Sequence, residues 1–288
     1  MELRILKYFL IVAREENITK AAGLLHLTQP TLSRQLMQLE DELGVKLFQR
    51  SKHRIILTED GMRLKKRAQE IVMLEEKVKE EFSNKGEELS GEISIGCGET
   101  QNMSFLSKKI FSFRQIHPHV TFQIYSATAD DIKERIEQGL LDIGLLTEPV
   151  DISKYDFWRM EKKECWGVLT SKGSGLYEKE CVSVDDLMGI PLVIPGRQSV
   201  QHELSSWFGE KYDKIEVAAS YNLILNAANM VRHHIGTALC FDLDFQSDDL
   251  RFIPFSPSLE TGTVLIWKKN QMFSAAVHTF IDCLRNAD

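Results

Sequence analysis

Residues 28–57 constrain the fold more than any other part of the chain. Four leucines there are spaced by four, three and four residues: Leu32, Leu36, Leu39 and Leu43. This spacing predicts a helix with one narrow apolar face, which ends at Gly44. Two short apolar runs follow, at 45–48 and 55–57, around a connection in which three of six residues are cationic. They predict a β-hairpin with a basic tip.

Two further helices precede this one. Apolar residues at helical spacing predict the first over residues 3–14, and Thr19 is expected to cap the second, which runs through Leu25. Thr28 is expected to cap the third helix, whose first turn tolerates Pro30 because the missing N–H has no helical partner there. Three helices followed by a hairpin predict a winged helix-turn-helix fold.

The third helix is polar on the side opposite its leucines. That side carries Pro30, Thr31, Ser33, Arg34 and Gln38. Small polar side chains and one cation are typical of a helix that enters the DNA major groove, although a solvated surface helix would have the same composition. The basic wing favours DNA: we expect Phe48 and Ile56 to anchor it. The cations at its tip, which reach phosphates or the minor groove, are Arg50, Lys52 and Arg54.

The charge of the chain is unevenly distributed. The net formal charge is −7, yet residues 1–85 contain sixteen Lys and Arg against thirteen Asp and Glu, a balance of +3. Residues 46–67 alone contain eight basic residues and two acidic ones. A basic segment on an acidic chain indicates that one end meets a polyanion.

A long helix follows the wing. Thr58 is expected to cap it, and one apolar seam runs along it with Glu75 intruding; the seam contains Leu64, Ala68, Ile71, Val78 and Phe82. A single seam favours pairing with a second copy of the chain, and the alternative is that it folds back on its own domain.

Residues 83–88 are polar and break the helix, so we place a domain boundary there. Strands and helices then alternate twice along the chain, which predicts α/β architecture with parallel strands and helices on both faces. The predicted domains are 1–58, 59–86 and 87–288.

The amino-terminal motifs resemble the LysR-type bacterial transcriptional regulators. They are the runs 18–22, 27–36 and 39–50 and the sequence Leu57-Thr58-Glu59-Asp60-Gly61. The resemblance implies a winged helix-turn-helix, a linker helix that dimerises, and a two-lobed α/β effector domain similar to periplasmic solute-binding proteins. It places Thr28, Gln29, Pro30, Thr31, Ser33 and Arg34 near the groove and gives the wing its phosphate role. It also implies a double-stranded promoter dyad and RNA polymerase as partners, and leaves dimer and tetramer both open.

By the same resemblance, the first lobe comprises about 91–163 plus 265–288 and the second about 164–264. Ligands of open α/β sheets bind beyond the carboxyl ends of strands, near helix amino termini. The predicted effector-binding residues there are Thr100, Gln101, Thr128, Thr147, Arg197 and Ser199. Two helix amino termini and a guanidinium suggest a carboxylate effector. Glu99 either pairs with Arg197 or indicates a cationic or amino-bearing effector instead.

Other functions find less support in the sequence. It contains no Gly-x-Ser-x-Gly, Gly-x-x-x-x-Gly-Lys or His-Glu-x-x-His motif, so an enzyme acting through the α/β lobes is disfavoured, and no cofactor is expected. A simple solute-binding protein would leave the basic wing unexplained. We expect no metal at the adjacent His233 and His234, no redox role for Cys165 and Cys181, no membrane partner and a cytoplasmic location.

Overall fold

The structure is a computed structural model that describes residues 1–50, 55–83, 88–244 and 247–285. Contacts divide the chain into two compact units, Met1–Lys85 and Gly86–Asp288. No helix within the described ranges is long and apolar enough to cross a membrane.

The described part of the first unit contains four helices and an antiparallel hairpin. They are α1 (Leu3–Glu15), α2 (Ile18–Leu24), α3 (Gln29–Leu43), β1 (Phe48–Arg50), β2 (Ile55–Leu57) and α4 (Glu59–Ser83). The predicted winged helix-turn-helix is thus confirmed. The cap of α2 was predicted wrongly: Asn17, not Thr19, accepts a hydrogen bond of 3.0 Å from the Lys20 N–H.

The core of this unit lies between α1, α3 and the first half of α4. Phe9, Leu32 and Leu39 are fully buried, whereas Leu43, the last leucine of the predicted stripe, is 39% exposed. The wing is anchored by Phe48, whose ring centroid lies 5.3 Å from that of Phe9. Ile56 was expected to be a second anchor, but 52% of it is exposed because it points to the other face of the short hairpin.

The apolar seam of α4 divides into two parts. Ala68 is fully buried and packs with Leu64 and Ile71 in the core of the first unit. Lys7 on α1 also pairs with Glu75, at 2.6 Å. The first half of the seam therefore folds back on its own unit, which was the alternative interpretation, whereas Val78 in the second half is 51% exposed.

The second unit contains two mixed sheets, each with helices on both faces. The first lobe contains β3 (Gly91–Cys97), α5 (Asn102–Ile116), β4 (Val120–Ser126), α6 (Ala129–Glu137), β5 (Ile143–Thr147), β6 (Tyr155–Arg159), β13 (Thr263–Lys268) and α9 (Ala275–Arg285), with strand order β4-β3-β5-β13-β6. The second lobe contains β7 (Glu164–Ser171), β8 (Pro191–Pro195), α7 (Gln198–Phe208), β9 (Glu216–Tyr221), α8 (Ile224–Arg232), β10 (Thr237–Phe241), β11 (Leu250–Pro254) and β12 (Glu260–Thr261), with order β11-β7-β10-β8-β9 and β12 on β7.

The predicted parallel pairing is confirmed for β3 with β4 and β5, and for β8 with β9 and β10. Strand β13 instead runs antiparallel to β5 and β6, and β7 runs antiparallel to β10 and β11. The chain leaves the first sheet after β6 and returns to it at β13. Two connections therefore join the lobes, and the carboxyl ends of the parallel strands line the cleft between them.

Candidate functional site

Helix α3 presents an exposed polar face at its amino-terminal end. Leu32, Leu36 and Leu39 face the core, and the exposed residues among those predicted to contact DNA are Thr28, Gln29, Pro30, Arg34 and Gln38. The Thr28 hydroxyl accepts a hydrogen bond of 3.4 Å from the Thr31 N–H, so the predicted cap is present. Among the described residues, no acidic side chain pairs with Arg34. Its guanidinium is thus available to a base edge or a phosphate.

The polar side chains of this face order one another. Gln29 donates a hydrogen bond of 2.8 Å from Nε2 to the Ser33 hydroxyl, and the hydroxyls of Thr28 and Thr31 lie 2.8 Å apart. Such contacts restrict rotamers before any ligand arrives, which lowers the entropy cost of binding.

A buried carboxylate fixes α3 to the wing. Glu40 accepts hydrogen bonds from the backbone N–H groups of Leu47 (2.8 Å) and Phe48 (3.2 Å) and from Lys46 Nζ (2.9 Å). Burial alone would raise the pKa of Glu40, but these donors outweigh it and lower that pKa. An ionised group of α3 therefore helps to fix the orientation of the hairpin.

The wing is only partly described. In the register of the hairpin Arg50 pairs with Ile55, and the Ile55 N–H donates a hydrogen bond of 3.0 Å to the carbonyl of Glu16 beyond α1. Lys52 and Arg54 lie outside the described residues. Their predicted phosphate contacts, like that of Arg50, stay predictions.

A cavity of about 640 Å³ opens between the two lobes of the second unit. Its volume lies within the usual range for small-molecule sites. The first lobe contributes Gly98, Glu99, Ala127, Thr128, Ala129, Asp130 and Thr147. The second contributes Trp166, Pro195, Gly196, Arg197, Gln198, Val200, Ser220, Tyr221, Asn222, Ile224, Cys240, Phe241 and Leu243.

The structure brings three of the six predicted effector residues together. Thr128, Thr147 and Arg197 line the cavity, although the Thr128 hydroxyl also caps α6 by accepting from the Asp131 N–H at 3.3 Å. Ser199 does not line it; its hydroxyl oxygen is buried without a hydrogen-bond partner among the described residues. Thr100 and Gln101 are also absent from its wall.

Thr100 and Gln101 contact a carboxylate of the chain itself. Glu164, at the start of β7, is 1% exposed and accepts a hydrogen bond of 3.0 Å from the Gln101 N–H and one from the Thr100 hydroxyl. Asn102 donates a further bond of 2.6 Å from Nδ2. The amino terminus of α5, where the sequence predicted an effector carboxylate, therefore already holds an anion.

Three charged side chains line the cavity among the described residues: Glu99, Asp130 and Arg197. Glu99 accepts a hydrogen bond of 2.5 Å from the Ile224 N–H at the start of α8, across the cleft. Burial raises the pKa of Glu99 despite this bond. Arg197 donates to the Pro149 carbonyl at 3.4 Å and lies 3.8 Å from Asp130 Oδ2, also across the cleft.

Sequence reasoning missed much of the second-lobe wall, including Trp166, Tyr221, Asn222 and Phe241. A usable signal existed for Tyr221 and Phe241, since they end the parallel strands β9 and β10. No local signal marked Glu164, which reaches α5 from more than sixty residues away. The described residues contain no group of His, Cys, Asp and Glu that could hold a metal, and burial raises the pKa of the Cys165 thiol, which disfavours the reactive thiolate.

Comparisons with known proteins match both units. Residues 3–62 match the model described as bacterial regulatory helix-turn-helix protein, lysR family, and residues 86–288 match the LysR substrate binding domain. The HTH-type transcriptional regulator BsdA of Bacillus subtilis is 33% identical over 195 residues, 67% of each chain. The Hca operon transcriptional activator HcaR of Escherichia coli is 28% identical over 98% of this chain and 96% of its own.

The fold has a solved counterpart along its whole length. The structure of full-length CbnR complexed with its target DNA covers 99% of both chains with a TM-score of 0.78 at 20% identity. The matched family models and the named relatives are transcriptional regulators, not enzymes. With a lysR-family helix-turn-helix at one end and a LysR substrate-binding domain over the remaining two hundred residues, the chain belongs to the LysR family of DNA-binding transcriptional regulators.

Proposed function

We propose that the chain binds a promoter sequence-specifically and that a small molecule in the cleft cavity controls this binding. The observation that carries the proposal is the cavity itself, because both lobes contribute to its wall. A ligand held there contacts both lobes, so its affinity differs between arrangements of the lobes. Such differential affinity is what control of a distant surface requires.

A ligand in the cavity can alter hydrogen bonds that join the two lobes. The bonds of Arg197 to Pro149 and of Glu99 to Ile224 join the lobes directly. Trp166 lines the cavity and donates a hydrogen bond of 2.8 Å to Thr261 in β12, on the connection that returns to the first lobe. A ligand that moves Trp166 therefore acts on this connection.

On the DNA side, we propose that α3 reads the major groove through the exposed side chains near its amino terminus and that the wing contacts phosphates. Self-association through the second half of α4, where Val78 is exposed, would place two such helices on a promoter dyad. Effector control would then act by re-aiming the two helices and bending the DNA. Contact with RNA polymerase stays a prediction.

Fluorescence anisotropy with a fragment of the chain's own upstream region tests the DNA surface. Affinity is expected to fall steeply with salt, because phosphate contacts release counterions. Arg34→Ala is expected to weaken specific binding by about ten- to one-hundredfold, with less effect on a random duplex of equal length.

Arg4→Ala is the matched control. Arg4 is exposed at the start of α1 and pairs with Glu2 at 3.2 Å, and the neighbouring Met1 amino group contacts Glu42 near the far end of α3. The control should bind as the parent does. Equal binding by Arg34→Ala and the parent at physiological salt would show that the DNA surface is misplaced.

A further inference from the structure

Glu99 lines the cavity, and no cationic side chain among the described residues pairs with its carboxylate. Within the described residues its hydrogen bond is the one from the Ile224 N–H, and no Lys, Arg or His side chain pairs with it. A carboxylate taken out of water costs free energy unless a cation or several donors compensate it. The raised pKa of Glu99 reflects that cost.

The helix amino termini around the cleft show where further negative charge is disfavoured. Glu164 accepts a hydrogen bond at the amino terminus of α5, and Glu99 accepts one at the amino terminus of α8. Helix α6 has Asp130 and Asp131 in its first turn. Each of these positive helix ends already faces an acidic group of the chain.

Helix α7 is different. Its first turn contains no acidic residue, and its N-cap residue is Arg197, which makes no side-chain capping bond. The Arg197 side chain is largely buried, at 15% exposure. Its Nε lies 3.8 Å from Asp130 Oδ2, an exposed carboxylate beyond hydrogen-bond distance, and has no hydrogen-bond partner among the described residues. This end of the cavity therefore offers donors to an anion.

We propose that the effector carries both an ammonium and a carboxylate group, with its ammonium on Glu99 and its carboxylate at Arg197 and the start of α7. The inference rests on the proposed function, since it takes the cleft cavity as the effector site. A dicarboxylate would add two negative charges to a wall that carries Glu99 and Asp130 against Arg197 alone. A zwitterion satisfies both ends and adds no net charge.

The rest of the wall suits an apolar body between the two charged groups. Trp166, Phe241 and Leu243 come from the second lobe, with Val200 and Ile224 beside them. Amino acids with apolar or aromatic side chains have this combination of one ammonium, one carboxylate and an apolar body. They are also small enough for the cavity volume.

Thermal shift of the full chain with a fixed set of probes tests the proposal. The set is the twenty protein L-amino acids, each at 10 mM at pH 7, followed by the des-amino acid and the decarboxylated amine of each one that binds. All four tryptophans lie in the second unit, so their fluorescence follows the unit that contains the cavity. At least one amino acid is expected to raise Tm by several degrees, and both of its truncated analogues are expected to bind at least about tenfold more weakly.

Glu99→Gln is expected to lower affinity for that amino acid by at least about tenfold and to leave affinity for its des-amino acid unchanged or higher. Glu178→Gln, the same substitution at an exposed position, is the control. The proposal is overturned if no amino acid shifts Tm, if the des-amino acids bind as well, or if Glu99→Gln binds like the parent. The analogue series uses the unaltered chain, so it decides the matter even where Glu99→Gln fails to fold.

Promoter anisotropy with the same probes separates the two proposals. Des-amino acids that bind and change promoter affinity would refute the ammonium site and leave effector control standing. An amino acid that binds through Glu99 without changing promoter affinity would refute effector control and leave the ammonium site standing.

Discussion

Replacing Glu164 by glutamine should destabilise the second unit by about 3 kcal/mol. The described groups that contact this carboxylate are all donors: the Gln101 N–H faces Oε2, whereas Asn102 Nδ2, the Asn102 N–H and the hydroxyls of Thr100 and Thr263 face Oε1. In either orientation, a glutamine directs its own NH₂ at a donor. A buried donor left without a partner costs about 1–3 kcal/mol, and loss of the negative charge at the start of α5 adds about 0.5–2 kcal/mol.

Urea unfolding followed by tryptophan fluorescence measures this change, because the signal comes from the second unit alone. A loss of about 3 kcal/mol moves the midpoint by about 1–2 M urea at the m values usual for domains of moderate size. Glu161→Gln is the matched control, since Glu161 is exposed three residues earlier on the same connection. A stability for Glu164→Gln within about 0.5 kcal/mol of the parent would refute the assignment of Glu164 as the resident anion of α5.

Two further predictions concern the first unit. Glu40→Gln should lower its free energy of unfolding by about 2 kcal/mol at pH 7. Because the pKa of Glu40 is lowered in the folded state, the stability that it contributes is present above its unfolded-state pKa and is lost as pH falls through its folded-state pKa. The stabilities of the parent and the variant should therefore converge in acid. Hydrogen exchange of the α3 amides measures the stability of both proteins, and a stability difference that stays constant at every pH would contradict this reasoning. Gly61→Ala should cost about 1–3 kcal/mol, because the new Cβ would overlap the Leu47 carbonyl oxygen. Gly23→Ala on α2 is the control, because a Cβ added there would have no heavy atom within 4 Å. It should be neutral or slightly stabilising in the same exchange measurement. Equal protection of the α3 amides in the two variants would show that the contact at Gly61 relaxes freely.

Local patterns predicted the first unit well because its elements are close in sequence. The leucine spacing located α3, and Thr28 caps it as expected. Prediction failed where neighbours compete for one role. Asn17 and Thr19 can both cap a helix, and only the exact start of α2 decides between them.

The other errors of the sequence-based prediction concern features that tertiary contacts decide. The seam of α4 is continuous in sequence, but α1 covers its first half, and a helical pattern does not say which neighbour covers it. Thr100 and Gln101 lie at the start of a helix beside the cleft, in the first lobe. The rule that ligands bind beyond the carboxyl ends of strands can detect no more than such a position. That rule cannot show that a carboxylate from β7 takes the same position first.

The distribution of resident carboxylates explains why a general rule for α/β sheets gives only part of this site. The rule finds positive helix ends beside the cleft, but such an end attracts a ligand anion only while no acidic side chain of the chain occupies it. Glu164 occupies α5 and Glu99 occupies α8, and both bonds also tie distant segments together. In the proposed effector site, the same side chains that stabilise the cleft would restrict ligand negative charge to the start of α7, and the incompletely compensated Glu99 would accept a positive group. Specificity for ligand charge would therefore follow from which helix ends the protein fills with its own acids.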